Sequence, residues 1–267
     1  MQIRRLGWAG IALTSADTTL VVDLIGSFGA FEPLLTGPRA PLPQPSRDAD
    51  AALVTHLHED HVDAAALAAV LKGGGPVLRP HSVPVAGTDA VGTEAGERGL
   101  LEHELETDSL QPWEARTIGP FAVTALPAVD GFGDPQLSWL IEADGQRVLH
   151  AGDTLFHGSW WSIALRSDPI DVAFLPINGA VCNFPHRQPP SPFAAAMDPH
   201  QAAVAAHILG AGRAVPMHYD GVHAPPFYVQ VDDPSGAFAR EGERLGLTVE
   251  TLAPGEELQL ETATPPR

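Results

Sequence analysis

The densest chemistry in the chain is the run Thr55-His56-Leu57-His58-Glu59-Asp60-His61, directly behind the apolar Ala51-Ala52-Leu53-Val54. Neutral imidazole nitrogens and a carboxylate oxygen are ligand types for zinc, and also for iron or manganese. If Ala51–His58 is a strand, period-two alternation puts His56 and His58 on one face. Asp60 and His61 then fall where the chain turns, and the run can serve two neighbouring ions. The plain alternative is a polar turn after a buried strand. At this composition the His-x-His-x-Asp-His spacing arises by chance in roughly one or two chains in a thousand, so the false-positive risk of a short motif is small here.

Three more ligand-type residues share that placement, each just after an apolar strand pattern. Asp130 follows Ala122–Val129, Asp153 follows Arg147–Gly152, and His218 follows Ala214–Met217. Strand ends gathered at one sheet edge are a natural place for a site on a rigid scaffold. His157, His186 and His223 lie on or beside candidate loops, where they are either substrate-facing or merely hydrogen-bonded surface groups. Asn178 can donate to a developing oxyanion, but Asn178-Gly179 is also a common turn pair. His150 reads as packed at a strand end beside the site. Aromatic residues in the loops (Phe28, Phe31, Phe184, Phe193, Phe227, Tyr228) and the pair Trp160-Trp161 can wall an apolar pocket or simply fill the core.

The elements that must position these groups begin with short strands at Ile3–Leu6, Gly10–Thr14 and Thr19–Leu24. A Pro/Gly-rich loop spans 26–48, and the Ala/Leu pattern predicts a helix over Val62–Lys72, capped by Asp60 or Asp63. Strands are expected at Pro76–Arg79, Ala115–Ile118, Phe121–Ala128, Gln136–Ala143, Gln146–His150, Val172–Pro176, Ala214–Met217, Leu247–Leu252 and Glu257–Leu260. Helices are expected at Trp160–Arg166, Pro199–Leu209 and Ala237–Leu245. The stretch Val83–Glu106 carries no clear pattern. With no linker and no repeat, residues 1–267 read as a single α/β domain, two sheets packed together with helices outside.

Charge narrows the partners. Against 33 acidic residues stand 15 basic ones, a formal net charge of −18, with no Lys/Arg cluster. Nucleic acid and anionic membrane surfaces are therefore poor partners, and a small-molecule substrate is the expected one. Cys182 is the only cysteine, which excludes an intrachain disulfide and fits a reducing compartment. Neither a signal-peptide pattern nor an apolar run long enough to cross a membrane is present, so a cytoplasmic protein is expected. Whether copies associate is left open.

From Asp23 through His-x-His-x-Asp-His, Gly152-Asp153-Thr154, Pro176-Ile-Asn178-Gly179 and Met197-Asp198-Pro199 to Pro216-Met-His218-Tyr219, the order of motifs resembles the metallo-β-lactamase superfamily. It is most similar to the branch that includes L-ascorbate-6-phosphate lactonase and N-acyl-phosphatidylethanolamine phospholipase D-like enzymes. The resemblance implies a four-layered αββα sandwich with a two-metal site at its edge. By position, His56 and His58 would bind one ion, Asp60, His61 and His218 the other, and Asp153 would bridge them. A further His usually completes the first site, and this chain has Asp130 there. Either Asp130 is a harder oxygen ligand, which favours manganese or iron over the usual zinc, or it only closes a turn. Asp134, four residues on, serves as the neutral reference position.

The resemblance implies a hydrolase that activates a water between two divalent ions to cleave a small-molecule lactone, ester or amide, with Asp60 handling the proton. Two alternatives stand beside it, a phosphodiesterase for small substrates and a metal-binding protein that has lost catalysis. Oxygen chemistry at two irons is disfavoured by the lack of a flavin-binding partner domain.

Overall fold

The computed structural model describes residues 1–37, 41–82, 92–167 and 169–260. One mixed sheet contains β1 (Gln2–Gly7), β2 (Gly10–Ser15), β3 (Thr18–Val22), β4 (Ala51–Leu53), β5 (Val77–Pro80) and β6 (Thr107–Leu110). The second begins with β7 (Ala115–Ile118), β8 (Phe121–Pro127), β9 (Leu137–Ala143), β10 (Gln146–His150) and β11 (Val172–Pro176). A short ribbon pairs β12 (Val181–Cys182) with β14 (Tyr228–Val229), β13 (Arg213–Met217) joins the second sheet, and β15 (Glu257–Gln259) returns to the first. The sheet orders are β15-β1-β2-β3-β4-β5-β6 and β13-β11-β10-β9-β8-β7.

Strand alternation explains the layering. Leu20, Val22, Ala51 and Leu53 join the core between the sheets, whereas Val21, Ala52 and Val54 join a separate apolar cluster on the outer face. That outer cluster is closed by α1 (Ala64–Val70) and α2 (Glu94–Glu102) through Leu67 and Leu100. On the far side, α4 (Pro199–Leu209) packs on β11 of the second sheet, and α3 (Trp160–Arg166) and α5 (Pro234–Leu245) pack against α4. The result is the expected helix–sheet–sheet–helix arrangement.

Several expectations shift. The strand Ala51–His58 stops at Leu53, so His56 and His58 do not meet by strand alternation. Val54 N–H still bonds to Leu78 O at 2.8 Å, but Thr55 N–H turns to the Asp23 carboxylate at 2.8 Å, and Thr55 O accepts from Leu137 N of the other sheet. Cross-sheet bonds thus pull the chain off the ladder. The first helix starts at Ala64, with Asp63 rather than Asp60 as its cap, accepting from Ala66 N. Leu247–Leu252 forms no strand, since Val249 pairs with Ala214 alone. The unread stretch holds α2, while 83–91 lie outside the described residues. The first Pro-rich loop contains a 3-10 helix, Gly29–Leu34.

Both sheets send parallel strands to one edge. β3, β4, β5 and β6 are mutually parallel, as are β10, β11 and β13. Asp23, the His56–His61 run, Asp153, Asn178 and His218 all follow the carboxyl ends of such strands, where open α/β sheets bind ligands.

Candidate metal centre

The seven ligand-type residues singled out from sequence converge in two groups. His56, His58, Asp130 and Asp153 form one, Asp60, His61 and His218 the other, with the candidate donor atoms of each lying within 4.8 Å of one another. Asp153 stands between them. Its Oδ1 is 3.6 Å from His56 Nε2, while Oδ2 is 4.0 Å from His61 Nε2 and 3.9 Å from His218 Nε2. Asp60 Oδ2 lies 3.7 Å from His61 Nε2 and 3.5 Å from His218 Nε2. His58 turns Nδ1 toward Asp130 Oδ2 at 3.9 Å.

Several of these atoms lack protein partners. His56 Nε2, His61 Nε2, both ring nitrogens of His218 and Asp130 Oδ2 are buried without a hydrogen bond. Buried polar atoms are nearly always paired, and one orphaned cluster of imidazole nitrogens and carboxylate oxygens fits divalent zinc, manganese or iron.

The backs of the ligands are tied down. Asp23, itself buried, accepts from Thr55 N, Thr55 Oγ1 and His61 Nδ1, the last at 2.8 Å, so His61 Nε2 is turned inward. Gln136 Nε2 donates to Asp153 Oδ1 at 2.6 Å, and Trp8 Nε1 to Asp60 Oδ2 at 3.1 Å. His150 donates Nε2–H to Ala9 O at 2.7 Å and accepts Gly152 N–H at Nδ1, a neutral imidazole locking the turn before Asp153. Trp8, Asp23 and His218 all have positive φ, strain on the order of 1–3 kcal/mol each that persists where surroundings over-determine it. Trp8 O accepts from His218 N, and the Trp8 ring packs 4.1 Å from the His218 ring, which ties two of the three together.

Asp130 closes the turn and leaves one oxygen over for the cluster. Oδ1 accepts from Phe132 N at 2.7 Å and Asp134 N at 3.1 Å, closing the turn, while Oδ2 faces the cluster unpaired. Asp134 is no neutral reference. Its Oδ2 bonds His58 Nε2 at 2.9 Å and Arg187 Nη2 at 3.2 Å. A side chain at Gly92 would come within 3.0 Å of His58 Nε2 and 3.2 Å of Asp134 Oδ2, so glycine there leaves room for the pair.

Without metal, the carboxylates draw protons onto the imidazoles. Burial alone would lower His58 and His61, but Asp134 and Asp130 carry His58 up to about 9, and Asp60 and Asp23 carry His61 to about 10. His56 falls well below its usual value through burial and the neighbouring histidines. Burial raises Asp130 to about 6, while the histidines overcome burial at Asp60 and hold it below the carboxylate range. Such a negative, buried cage is one a divalent cation would neutralise.

The proposed substrate-facing residues fare unevenly. A pocket of about 500 Å³ opens beside His58, walled by Phe31, Leu34, Phe132, Phe184, Phe227, His186 and Arg187 among others. His186 is on its wall, stacked on Phe184. His157, Asn178 and His223 are not. His157 stacks on Trp160 and stays neutral, burial lowering it to about 4. Asn178 is buried and donates Nδ2–H to Tyr228 Oη at 2.6 Å, and His223 is exposed. Trp160 is core, and Phe28 packs on Trp8. Trp8, Gln136, Asp134, Phe132 and Arg187 were not legible as site residues.

The model of the Beta-lactamase superfamily domain matches residues 18–219. A metal-dependent hydrolase from Thermus thermophilus is 28% identical over 267 residues, spanning 98% of this chain and 100% of that protein. Among solved structures, Igni18, a metallo hydrolase from Ignicoccus hospitalis, has a TM-score of 0.66 at 19% identity, covering 97% of this chain and 98% of its own. CmlA, a diiron β-hydroxylase from Streptomyces venezuelae, has a TM-score of 0.73 at 20% identity, covering 97% of this chain and 54% of its own. At such identities these two speak for the fold alone. With the αββα layers, the paired ligand clusters and the family match together, the chain belongs to the metallo-β-lactamase superfamily of metal-dependent hydrolases.

Proposed function

We propose that this protein is a two-metal hydrolase of a small-molecule lactone, ester or amide, with zinc the first candidate metal. The observation that carries the reading is Asp153, one carboxylate whose two oxygens face the two different ligand groups. His56, His58 and Asp130 would hold one ion, Asp60, His61 and His218 the other, and Asp153 both. Two divalent ions, when bound, lower the pKa of a water and polarise the oxygen of the bond to be cut.

The chain supplies the rest. Asp60, oriented by the Trp8 indole N–H, is the group we assign to take the nucleophile's proton while remaining a ligand. Asp23 and Asp134 hold His61 and His58 in the tautomers that turn a lone pair toward the metals. His186, exposed on the pocket rim, contacts substrate in this reading. The lactonase-like placement and a cytoplasmic location belong to the same proposal, resting on motif order and on composition.

Metal analysis of the loaded protein tests it. Two equivalents per chain are expected, with Asp153→Ala losing metal from both positions. His58→Ala and Asp153→Ala should abolish turnover of a lactone and ester panel. One equivalent or none in the parent, or full turnover in both variants, would overturn the assignment.

A further inference from the structure

The pocket beside His58 says something about the substrate that the metal ligands do not. Its volume of about 500 Å³ lies within the roughly 300–1,000 Å³ of small-molecule sites. Phe31, Leu34, Phe132, Phe184 and Phe227 make most of the wall apolar. The Phe132 ring lies 6.0 Å from the His58 ring and 5.6 Å from Phe184, so apolar surface runs continuously up to a metal ligand.

The charged groups on this wall are already matched or are negative. Arg187 is its one Lys or Arg among the described residues, and its Nη2 is paired at 3.2 Å with Asp134, while the Phe132 ring centre lies 5.8 Å from the guanidinium. Asp134 is nearly buried, its side chain 7% exposed, and it is held from the other side by His58. The guanidinium is thus committed to a fixed carboxylate. Glu59, also on the wall, accepts Ala30 N–H at 3.3 Å and contributes negative charge. At the centre, the carboxylates of Asp60, Asp130 and Asp153, with the buried Asp23 behind His61, set four negative charges against the four positive charges of two divalent ions. An anion entering this pocket would give up its hydration without meeting an unmatched cation.

We infer that the substrate is an uncharged carbonyl compound whose aryl or branched alkyl part fills this pocket, with the scissile carbonyl toward His58. The inference rests on the two-metal reading for the centre's charge, and on the wall alone for the apolar group. A phosphodiester, negatively charged, is the class it disfavours.

Two probes of similar size and no readily cleaved bond separate the classes: benzylacetone, an uncharged ketone, and benzyl methyl phosphate, a monoanion. Their binding to zinc-loaded protein can be read by ligand-observed NMR, with zinc content measured on the same samples. Benzylacetone should bind at least tenfold more tightly than the phosphate. Phe184→Ala and Leu34→Ala should each weaken benzylacetone by roughly tenfold with zinc content unchanged. Tighter binding of the phosphate to fully loaded protein, or benzylacetone binding indifferent to both wall variants, overturns the inference. Protein that takes up less than two zinc ions overturns the two-metal reading instead, and the wall variants then still decide whether the pocket takes the apolar group.

Discussion

Replacing Asp134 by Ala tests whether a residue outside the ligand set governs one metal position. Its carboxylate accepts from His58 Nε2 at 2.9 Å and Arg187 Nη2 at 3.2 Å, and its own N–H fixes Asp130 Oδ1 at 3.1 Å. The alanine keeps the N–H and loses the acceptor, so His58 is free to rotate and to carry its proton on Nδ1, the nitrogen facing the cluster. Losing such an outer partner costs about 10–100-fold in metal affinity, or about 1.4–2.7 kcal/mol. The hydrogen bonds of Asp134 run to His58, Asp130 and Arg187 and not to Asp60, His61 or His218, so the loss should fall on the His56/His58/Asp130 position alone. Titration against a competing chelator, with metal content after dialysis, resolves two stepwise affinities. One tight and one weakened step is the expected result. In metal-free protein, NMR titration should also show His58 dropping from about 9, because the hydrogen bond to Asp134 is the largest influence raising it. Unchanged affinities, or an equal loss at both positions, would refute the reasoning.

Asp23→Ala should destabilise the fold by about 3–5 kcal/mol, because Thr55 N, Thr55 Oγ1 and His61 Nδ1 lose one buried acceptor together; chemical denaturation showing under 1 kcal/mol would contradict this. At neutral pH, metal loading should release protons from His58 and His61, up to two per chain, and tighten as pH rises, which calorimetry in buffers of different ionisation heat can detect. The same raised values make metal-free protein lose stability as pH climbs from about 6.5 through 9 to 10, since the folded state holds protons that the unfolded chain releases; a flat stability profile over that window would contradict the assignment. Asp130→His replaces an anionic ligand by a neutral one and should move probe preference toward benzyl methyl phosphate; an unchanged ratio would show that Asp130's charge does not govern it.

Legibility in the sequence followed locality. The helices Trp160–Arg166 and Pro199–Leu209 and the strands Ala115–Ile118, Gln146–His150 and Val172–Pro176 coincide with their patterns, because the spacing that defines each lies within its own few residues. Asp198 and Gln201 form a full capping box, and Gly210 ends the helix in a left-handed conformation. The candidate ligand residues were legible because imidazoles and carboxylates behind apolar strands are rare combinations. Trp8 and Gln136 were not, since a tryptophan and a glutamine near strand ends look like ordinary packing. Their roles arise only when the two sheets bring Trp8 to Asp60 and Gln136 to Asp153. Ala51–His58 failed as a strand for the same reason: its alternation was plausible locally, but Thr55 is taken by Asp23 and Leu137 from elsewhere in the fold.

The same logic changes what Asp130 means. Read along the chain, Asp130-Gly131 looked like a turn competing with a ligand, as if one carboxylate could not serve both. In space the two roles use different oxygens, Oδ1 for Phe132 N and Asp134 N, Oδ2 for the cluster. The turn aims Oδ2 at the cluster, and it also delivers Asp134 to His58. An imidazole at this position could not accept both of those N–H groups while offering a nitrogen to the metal. The departure from the usual His is therefore coupled to a local structure that only a short carboxylate supports, and Asp130, Asp134, His58 and Arg187 stand as one unit that joins the metal centre to the apolar pocket.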